Sequence, residues 1–403
     1  MFTLPTSFAI AAAAFSFIML TMALFSTLRH QRIGRRRVLP EALDYPALSL
    51  LKPLKGLEEQ LEQNLESFYT QDYPGELEIV FSAETADDLG LLVARKVAER
   101  FPEIPSRFVL SDPDFGLNPK VANLEAALRA ARHDLVLQSD ANTRARPDYL
   151  RRIVSELLEE DASLLSSVVI GRGEKNLFAA FENLHLSALI GPSTCTALHV
   201  AGVSCVIGKS MLFRKSELER FGGLGAVRNI LCEDFILGRT YQENGKKVVL
   251  STTPIENINE EIDAERFLAR HSRWLKMRAV IHIGSFILDL FANPIAWSLL
   301  AVFISGFAPI TFAILALTIA LKLGLDSLML RIARGDRLPL RFLLLAPLKD
   351  LLIFGTWFYA AFSRSVVWRG RKLRFGKDSE LREDDGVLPI RLARRLLAEE
   401  RRA

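Results

Sequence analysis

Only three of the 403 residues are cysteines, and Cys195, Cys205 and Cys232 stand in no paired metal-binding spacing. This argues against a disulfide framework and fits a reducing environment. The excess of basic over acidic side chains is small, a net charge of +4, which gives no ground for a nucleic-acid partner. No internal repeat or low-complexity tract is present. A further absence is local: Met1 to Leu28 carries no charged side chain, a run long enough to cross a bilayer. A cleaved signal peptide would carry basic residues ahead of its apolar run, whereas here the cluster RHQRIGRRR follows it. An uncleaved signal anchor over residues 1–30 is expected. By the positive-inside rule its N-terminus is outside and the chain after it is cytoplasmic.

Beyond the anchor, residues 45–278 read as one α/β domain. LSLLKPL, LEIVFSAE, SRFVLS and HDLVLQSD read as strands. Between them lie helical patterns over Leu57 to Tyr69, through LGLLVARKVAERF, and over Lys120 to Arg132. Strands alternating with helices predict a mostly parallel, doubly wound sheet. Residues 279–365 form a membrane region with apolar stretches near 280–303, 305–330 and 341–363. Pro347, Lys349 and Asp350 interrupt the third, and its unbroken part, LLIFGTWFYAAF, is too short to cross. Three crossings would also put the basic tail, residues 366–403, outside. One stretch is therefore expected to be interfacial or re-entrant, or else one charge pair faces a protein interior. The basic clusters Arg29 to Arg37, Arg331 to Arg341 and Arg364 to Lys377 flank apolar segments, which suits an anionic membrane surface. A multi-pass membrane protein with a cytoplasmic domain is expected.

In open α/β sheets, ligands bind at the carboxyl ends of strands, and three acidic sites should fall there. SAETADD brings Asp87 and Asp88, a composition that also caps helices. LVLQSDANTR ends a buried strand in Asp140 with Asn142 two residues on, an oxygen pair suited to a hard divalent cation beside phosphates. NILCEDFILGRTYQENG sets Glu233 and Asp234 at a helix start, as caps or as candidates for a general base. Downstream, LARHSRWLKMRAV places Arg266, Arg270 and Arg273 on one helical face beside Trp274. Such a stretch reads as a juxtamembrane anchor or as an anion site, with Lys276 and Arg278 near lipid headgroups and Arg273 facing an anion. His185 and His199 have no sequence partner and read as ordinary fold residues.

The order Asp88, Asp140, Asp234 and RHSRW (270–274) resembles the D, D, D, (Q/R)xxRW signature of membrane-bound GT-A glycosyltransferases. LLKPLKG (50–56), QDYP (71–74), GLNPKVANL (116–124), CVIGKSMLFRKSELERFGGL (205–224), EDF and RWLKMR look like blocks of the ceramide glucosyltransferases. The resemblance covers roughly residues 48–280 and, more loosely, the tail with WRGRKLR. It implies a GT-A fold, a Rossmann-like mostly parallel sheet flanked by N- and C-terminal membrane helices. It also implies an enzyme that transfers glucose from UDP-glucose to the primary hydroxyl of ceramide with inversion. By the same resemblance Asp88 contacts the uracil–ribose end, and Asp140 engages the sugar nucleotide and, with Asn142, Mg2+ or Mn2+. Asp234 is the base, while Arg273 and Trp274 meet the diphosphate and the acceptor. Lys120, Glu233 and Arg270 are expected to line the substrate. Glu182 to His199 matches the ceramide enzymes poorly, and Asp-Ala-Asn replaces Asp-x-Asp. Another UDP-hexose, or a hopanoid or glycerolipid acceptor, therefore stays open, as does a non-catalytic lipid-binding relative.

Overall fold

The computed structural model of the chain describes residues 3–40, 43–368 and 371–383. Met1 and Phe2 of the expected anchor, and residues 384–403 of the expected tail, lie outside the described residues. The chain opens with α1 (Leu4–Arg36), whose last turn carries Arg35 and Arg36, where the helix dipole favours cations. The segment expected as an anchor is thus one helix, which takes in the basic cluster as far as Arg36.

Alternation then begins: β1 (Leu48–Pro53), α2 (Leu61–Tyr69), β2 (Leu77–Ala83), α3 (Leu89–Ala98), β3 (Ser106–Leu110), α4 (Pro119–Ala130) and β4 (Leu135–Ser139). These match the expected strands and helices, except that α2 starts later, after Gln60 in a left-handed conformation. The second half holds β5 (Thr143–Arg144), α5 (Tyr149–Glu159), β6 (Leu164–Arg172), α6 (Leu177–His185), α7 (Gly191–Ala201), β7 (Ser210–Arg214) and α8 (Lys215–Arg220). It continues through α9 (Glu233–Glu243), β8 (Val248–Ile258) and α10 (Ala264–Ile281). A π-helical turn, Leu186–Ile190, joins α6 to α7.

The eight strands form one sheet in the order β3-β2-β1-β4-β7-β6-β8-β5. β1, β2, β3 and β4 pair in parallel, β7 runs antiparallel between β4 and β6, and β6 pairs in parallel with β8. Period-2 alternation divides the strands between two cores. Leu50, Ile79 and Leu137 face α2, α3 and α5, while Leu51, Val80 and Val136 face α4 and α9. Both faces are covered, which is why these strands are buried end to end. The chain order reverses between β1 and β4, so a crevice opens at the carboxyl ends of those strands.

After α10 come α11 (Ile283–Leu290), α12 (Pro294–Ile304), α13 (Pro309–Arg334), α14 (Leu340–Leu343) and α15 (Ala346–Phe362). Leu4–Arg36, Pro309–Arg334 and Leu340–Phe362 are each long and apolar enough to cross a membrane. The first expected stretch, near 280–303, is instead a bent pair, α11 and α12, meeting at 58°. The third stretch is helical despite its charges, because they face inward. Lys322 Nζ lies 2.6 Å from Asp326 and 3.3 Å from Asp350, and Lys349 lies 2.9 Å from Asp350. All four side chains are buried. α1 packs on α12 through Ala9, Ala12, Ala13 and Ala301, small residues that let the helices approach closely.

The tail has a structure that the sequence pattern did not signal. Its described part forms β9 (Ser365–Trp368), β10 (Arg371–Phe375) and β11 (Leu381–Glu383), an antiparallel sheet folded back toward α9 and α10. Because each buried ion needs its partner, Lys322→Met should destabilise the protein by about 3–5 kcal/mol. The double variant Lys322→Met/Asp326→Leu should recover most of that, as read from thermal midpoints in detergent.

Candidate active site

β7 runs antiparallel to β4, so the residues entering β7 stand beside those leaving β4. Asp140 N–H donates to the Lys209 carbonyl at 3.2 Å. From the α4 side, Asn118 caps the helix by accepting from the Lys120 and Val121 N–H groups, which aims Lys120 into the same crevice. Its ammonium lies 3.1 Å from Asp140 Oδ1 and 2.9 Å from Glu233 Oε1, and donates to the Gly208 carbonyl at 3.3 Å. Asp234 is held beside them: its Oδ2 accepts from Gly208 N–H at 2.5 Å and its Oδ1 from Phe235 N–H at 2.8 Å. A Cβ at Gly208 would stand 2.9 Å from Asp234 Oδ2 and 3.0 Å from Lys120 Nζ, so any larger residue there would displace these two side chains. Asp140, Glu233, Asp234 and Lys120, singled out from the sequence, therefore meet at one point.

Charge governs the cluster. Burial works against the Lys120 ammonium, but Asp140, Glu233 and Asp234 outweigh it and raise its pKa. Burial likewise opposes the Asp140 carboxylate, which Lys120 and Lys209 hold below its ordinary range. Glu233 is shifted upward, by burial first and then by Asp234, with Lys120 opposing. The Cys232 thiol is pushed far up by burial and by the two neighbouring carboxylates, and donates to Asp234 Oδ1 at 3.4 Å.

Lys209, which the sequence reading missed, bears on the expected metal. Its Nζ lies 3.0 Å from Asp140 Oδ2 and 2.9 Å from Asn142 Oδ1. The two expected metal donors do converge, and an ammonium stands between them. Among the described residues no group of three or more His, Cys, Asp and Glu forms a metal cage. A hard divalent cation held by one carboxylate normally completes its shell with substrate phosphates and water. Asp140 and Asn142 fit that limited role once Lys209 moves aside.

Other expected residues lie elsewhere. Asp88 caps α3: its Oδ1 accepts from Gly90 and Leu91 N–H, and its Oδ2 accepts from Gly56 N–H at 2.8 Å. It thereby ties the loop after β1 to the start of α3. Arg270 does not join the acidic cluster; it bonds Glu182 at 2.9 Å and Asn259 at 3.3 Å. Glu182 is fully buried and also meets His271 Nε2 at 3.0 Å. Arg270 and His271 overcome the penalty of burial and hold its pKa at about 2. Trp274 packs against the main core and sets its ring 5.4 Å from His271. It also lines a cavity with Arg278, Asp289 and Trp357, between α10 and the helices that follow it. Arg273 lies on the same turn, partly buried.

Nor do Lys276 and Arg278 reach outward as expected. Lys276 is buried, donates to the Ser365 carbonyl at 2.9 Å and stacks over the Tyr359 ring, while Arg278 pairs with Asp289. A second missed residue is Lys52, buried under the Asp140 turn. It donates to Ser139 Oγ, the Asp140 carbonyl and Thr143 Oγ1 within 3.1 Å. The signal for it was available: a lysine inside an otherwise apolar strand must find oxygens.

The sequence model of glycosyl transferase family 21 matches residues 8–381. Ceramide glucosyltransferase 1 of Caenorhabditis elegans is 26% identical over 84% of this chain and 73% of its own length. Ceramide glucosyltransferase 3 of the same organism is 27% identical over 58% and 50%. The ceramide glucosyltransferase of Komagataella phaffii is 26% identical over 62% and 60%. The match thus spans about half to three-quarters of these relatives. Among solved structures, a mannosyltransferase from Pyrobaculum calidifontis in complex with GDP-Man and Mn2+ aligns with a TM-score of 0.49 at 19% identity, covering 88% of this chain and 99% of that one.

The Glu182 cluster carries a pH signature. Because folding lowers the carboxyl from its ordinary 4.5 to about 2, its stabilisation is present above 4.5 and is lost as pH falls toward 2. Glu182→Gln should cost about 3 kcal/mol near neutral pH. The gap to wild type should narrow as unfolding is followed from pH 4.5 downward.

Proposed function

The chain belongs to glycosyl transferase family 21, and from that premise we propose that it transfers glucose from UDP-glucose to the primary hydroxyl of ceramide. Transfer proceeds with inversion and yields β-glucosylceramide. The observation that carries this reading is the convergence of Asp140, Glu233 and Asp234 on Lys120 at the sheet's switch point. It lies where an α/β sheet receives a nucleotide.

Inverting transfer needs a base for the acceptor hydroxyl and cationic groups for the departing diphosphate. Asp234 is the base. Its Oδ2 is fixed by Gly208 N–H and its Oδ1 by Phe235 N–H, so the carboxylate keeps one orientation when a hydroxyl arrives. Lys120 and Lys209 supply positive charge beside Asp140, and Arg273 of α10 is assigned to the diphosphate on the family resemblance. Asp88 contributes indirectly, by shaping the loop at Gly56 that faces the uracil–ribose end. Asp140 and Asn142 would hold Mg2+ or Mn2+, which when bound neutralises charge on the diphosphate. The lipid reaches the site from the side of α10, where Trp274 meets the membrane-region helices. The catalytic domain then stands on the cytoplasmic side, where nucleotide sugars are available to it.

A hopanoid or glycerolipid acceptor is the second reading. One observation favours keeping it: His185, Leu189 and Ile190, from the segment that matches the ceramide enzymes poorly, line the cavity beside Trp274.

Mass spectrometry of lipids from a host expressing the chain and fed ceramide should reveal a new hexosylceramide. A hexosylated hopanoid or diacylglycerol would instead establish the second reading. With purified protein, Asp234→Asn should lower kcat by about 10²-fold or more while UDP binding, measured calorimetrically, is retained. Chelation should weaken UDP binding in wild type and have less effect in Asp140→Asn.

A further inference from the structure

We propose that the C-terminal segment Lys377–Leu381, at the end of the basic cluster Arg364 to Lys377, is a working part of the catalytic cleft. Within it, Ser379 is a positioning residue for Glu233 and Asp234. The proposal rests on the reading of those carboxylates given above.

The start of α9 has a deficit to meet. A helix leaves its first N–H groups without partners inside the helix, and the residue at this cap, Cys232, makes no side-chain cap bond. Part of the deficit is met from a position 147 residues further along the chain: Cys232 N–H donates to Ser379 Oγ at 3.1 Å. The same serine, wholly buried, accepts the Leu231 N–H on its carbonyl at 3.1 Å. Leu381 N–H donates to the Asn229 carbonyl at 2.6 Å, and Ile230 and Glu380 form an antiparallel bridge. Residues 379–381 therefore act as a short added strand beside 229–231, immediately before Glu233 and Asp234.

On the opposite edge, 228–231 are held by the turn that launches α4. Asn118 N–H donates to the Arg228 carbonyl at 2.9 Å, Leu117 N–H to Asn229 Oδ1 at 2.9 Å, and Asn118 Nδ2 to the Ile230 carbonyl at 2.6 Å. Asn118 is also the cap that aims Lys120. The strip 228–231 is thus clamped between the Lys120 turn and the C-terminal segment, and it sets the spacing of Lys120 from Glu233 and Asp234.

Two further contacts hold the segment in place. Leu231, Leu373 and Leu381 are buried together against Leu117 and against Met277 and Val280 of α10. Asp378 bonds Arg239 on α9 at 2.9 Å. Asp378 and Ser379 both have positive φ, 54° and 59°, a conformation that residues with side chains adopt only when their surroundings enforce it. The segment therefore links α9, which carries the carboxylates, to α10, which carries Arg273 and Trp274.

The test uses the full chain in detergent or nanodiscs with Ser379→Gly, which removes the hydroxyl yet tolerates the positive φ, so that no backbone strain is added. Three quantities are compared with wild type: the thermal midpoint, backbone amide exchange across residues 232–236, and the kinetics of glucosyl transfer. We expect a midpoint lowered by no more than the few degrees that loss of one buried hydrogen bond costs, and exchange at 232–236 faster by about tenfold. We also expect kcat lowered by about ten- to hundredfold, with KM for UDP-glucose within about twofold, as for a misplaced catalytic group. Unchanged exchange and kcat would overturn the proposal. So would a kcat loss that only follows a fallen midpoint. If wild type transfers no glucose at all, the functional reading fails instead, and the exchange measurement still decides whether Ser379 orders the start of α9.

Discussion

The ammonium of Lys120 lies 3.1 Å from Asp140 and 2.9 Å from Glu233, and Asp234 also acts on it electrostatically. Through this one cation the end of β4, the turn into β7, the start of α4 and the start of α9 share a common point. The sheet topology makes the meeting possible, because β7 runs antiparallel and delivers Gly208 and Lys209 beside Asp140. Charge then fixes the details. Around it stand three carboxylates, and burial of so much like charge is tolerable only with ammonium groups among them. Lys209 is the second such group, and the raised pKa of Glu233 is a further sign of the same pressure.

The sequence disclosed the parts of this arrangement that follow from local pattern. The first four strands and the helices between them were legible because apolar period and helix caps change along the chain as the structure does. Asp140, Glu233 and Asp234 were legible because an acidic residue at the end of an apolar strand or the start of a helix is a local event. What could not be read was set by long-range pairing. Lys209 looks like any lysine until β7 is known to lie antiparallel to β4. Arg270 has the helical spacing of an anion ligand, yet a fully buried glutamate from α6 claims it. The basic tail has the composition of a membrane-surface segment, and nothing local signals that Ser379 will return to Cys232.

The membrane region shows the same divide. Charges at Lys349 and Asp350 argued against a crossing helix when read alone. With Lys322 and Asp326 on α13 supplying opposite signs, the four form a compact neutral group inside the protein. The short helical pair α11 and α12 fails to continue straight because the chain breaks before Pro294, where Asn293 donates back to the Asp289 carbonyl. Helix continuity here follows where a proline breaks the chain and where buried charge finds its partner.

The 33-residue α1 has a consequence of its own. At about 1.5 Å per residue it is about 50 Å long, against roughly 30 Å for the hydrocarbon layer it can cross. The surplus is not loose: His30, near its end, touches the Ser251 carbonyl of β8 at 3.0 Å. One unbroken rod thus runs from the lipid to a strand of the sheet. If α1 crosses the bilayer, it works as a gauge, tying the height of β8, and of the sheet that carries the cleft, to the position of the helix.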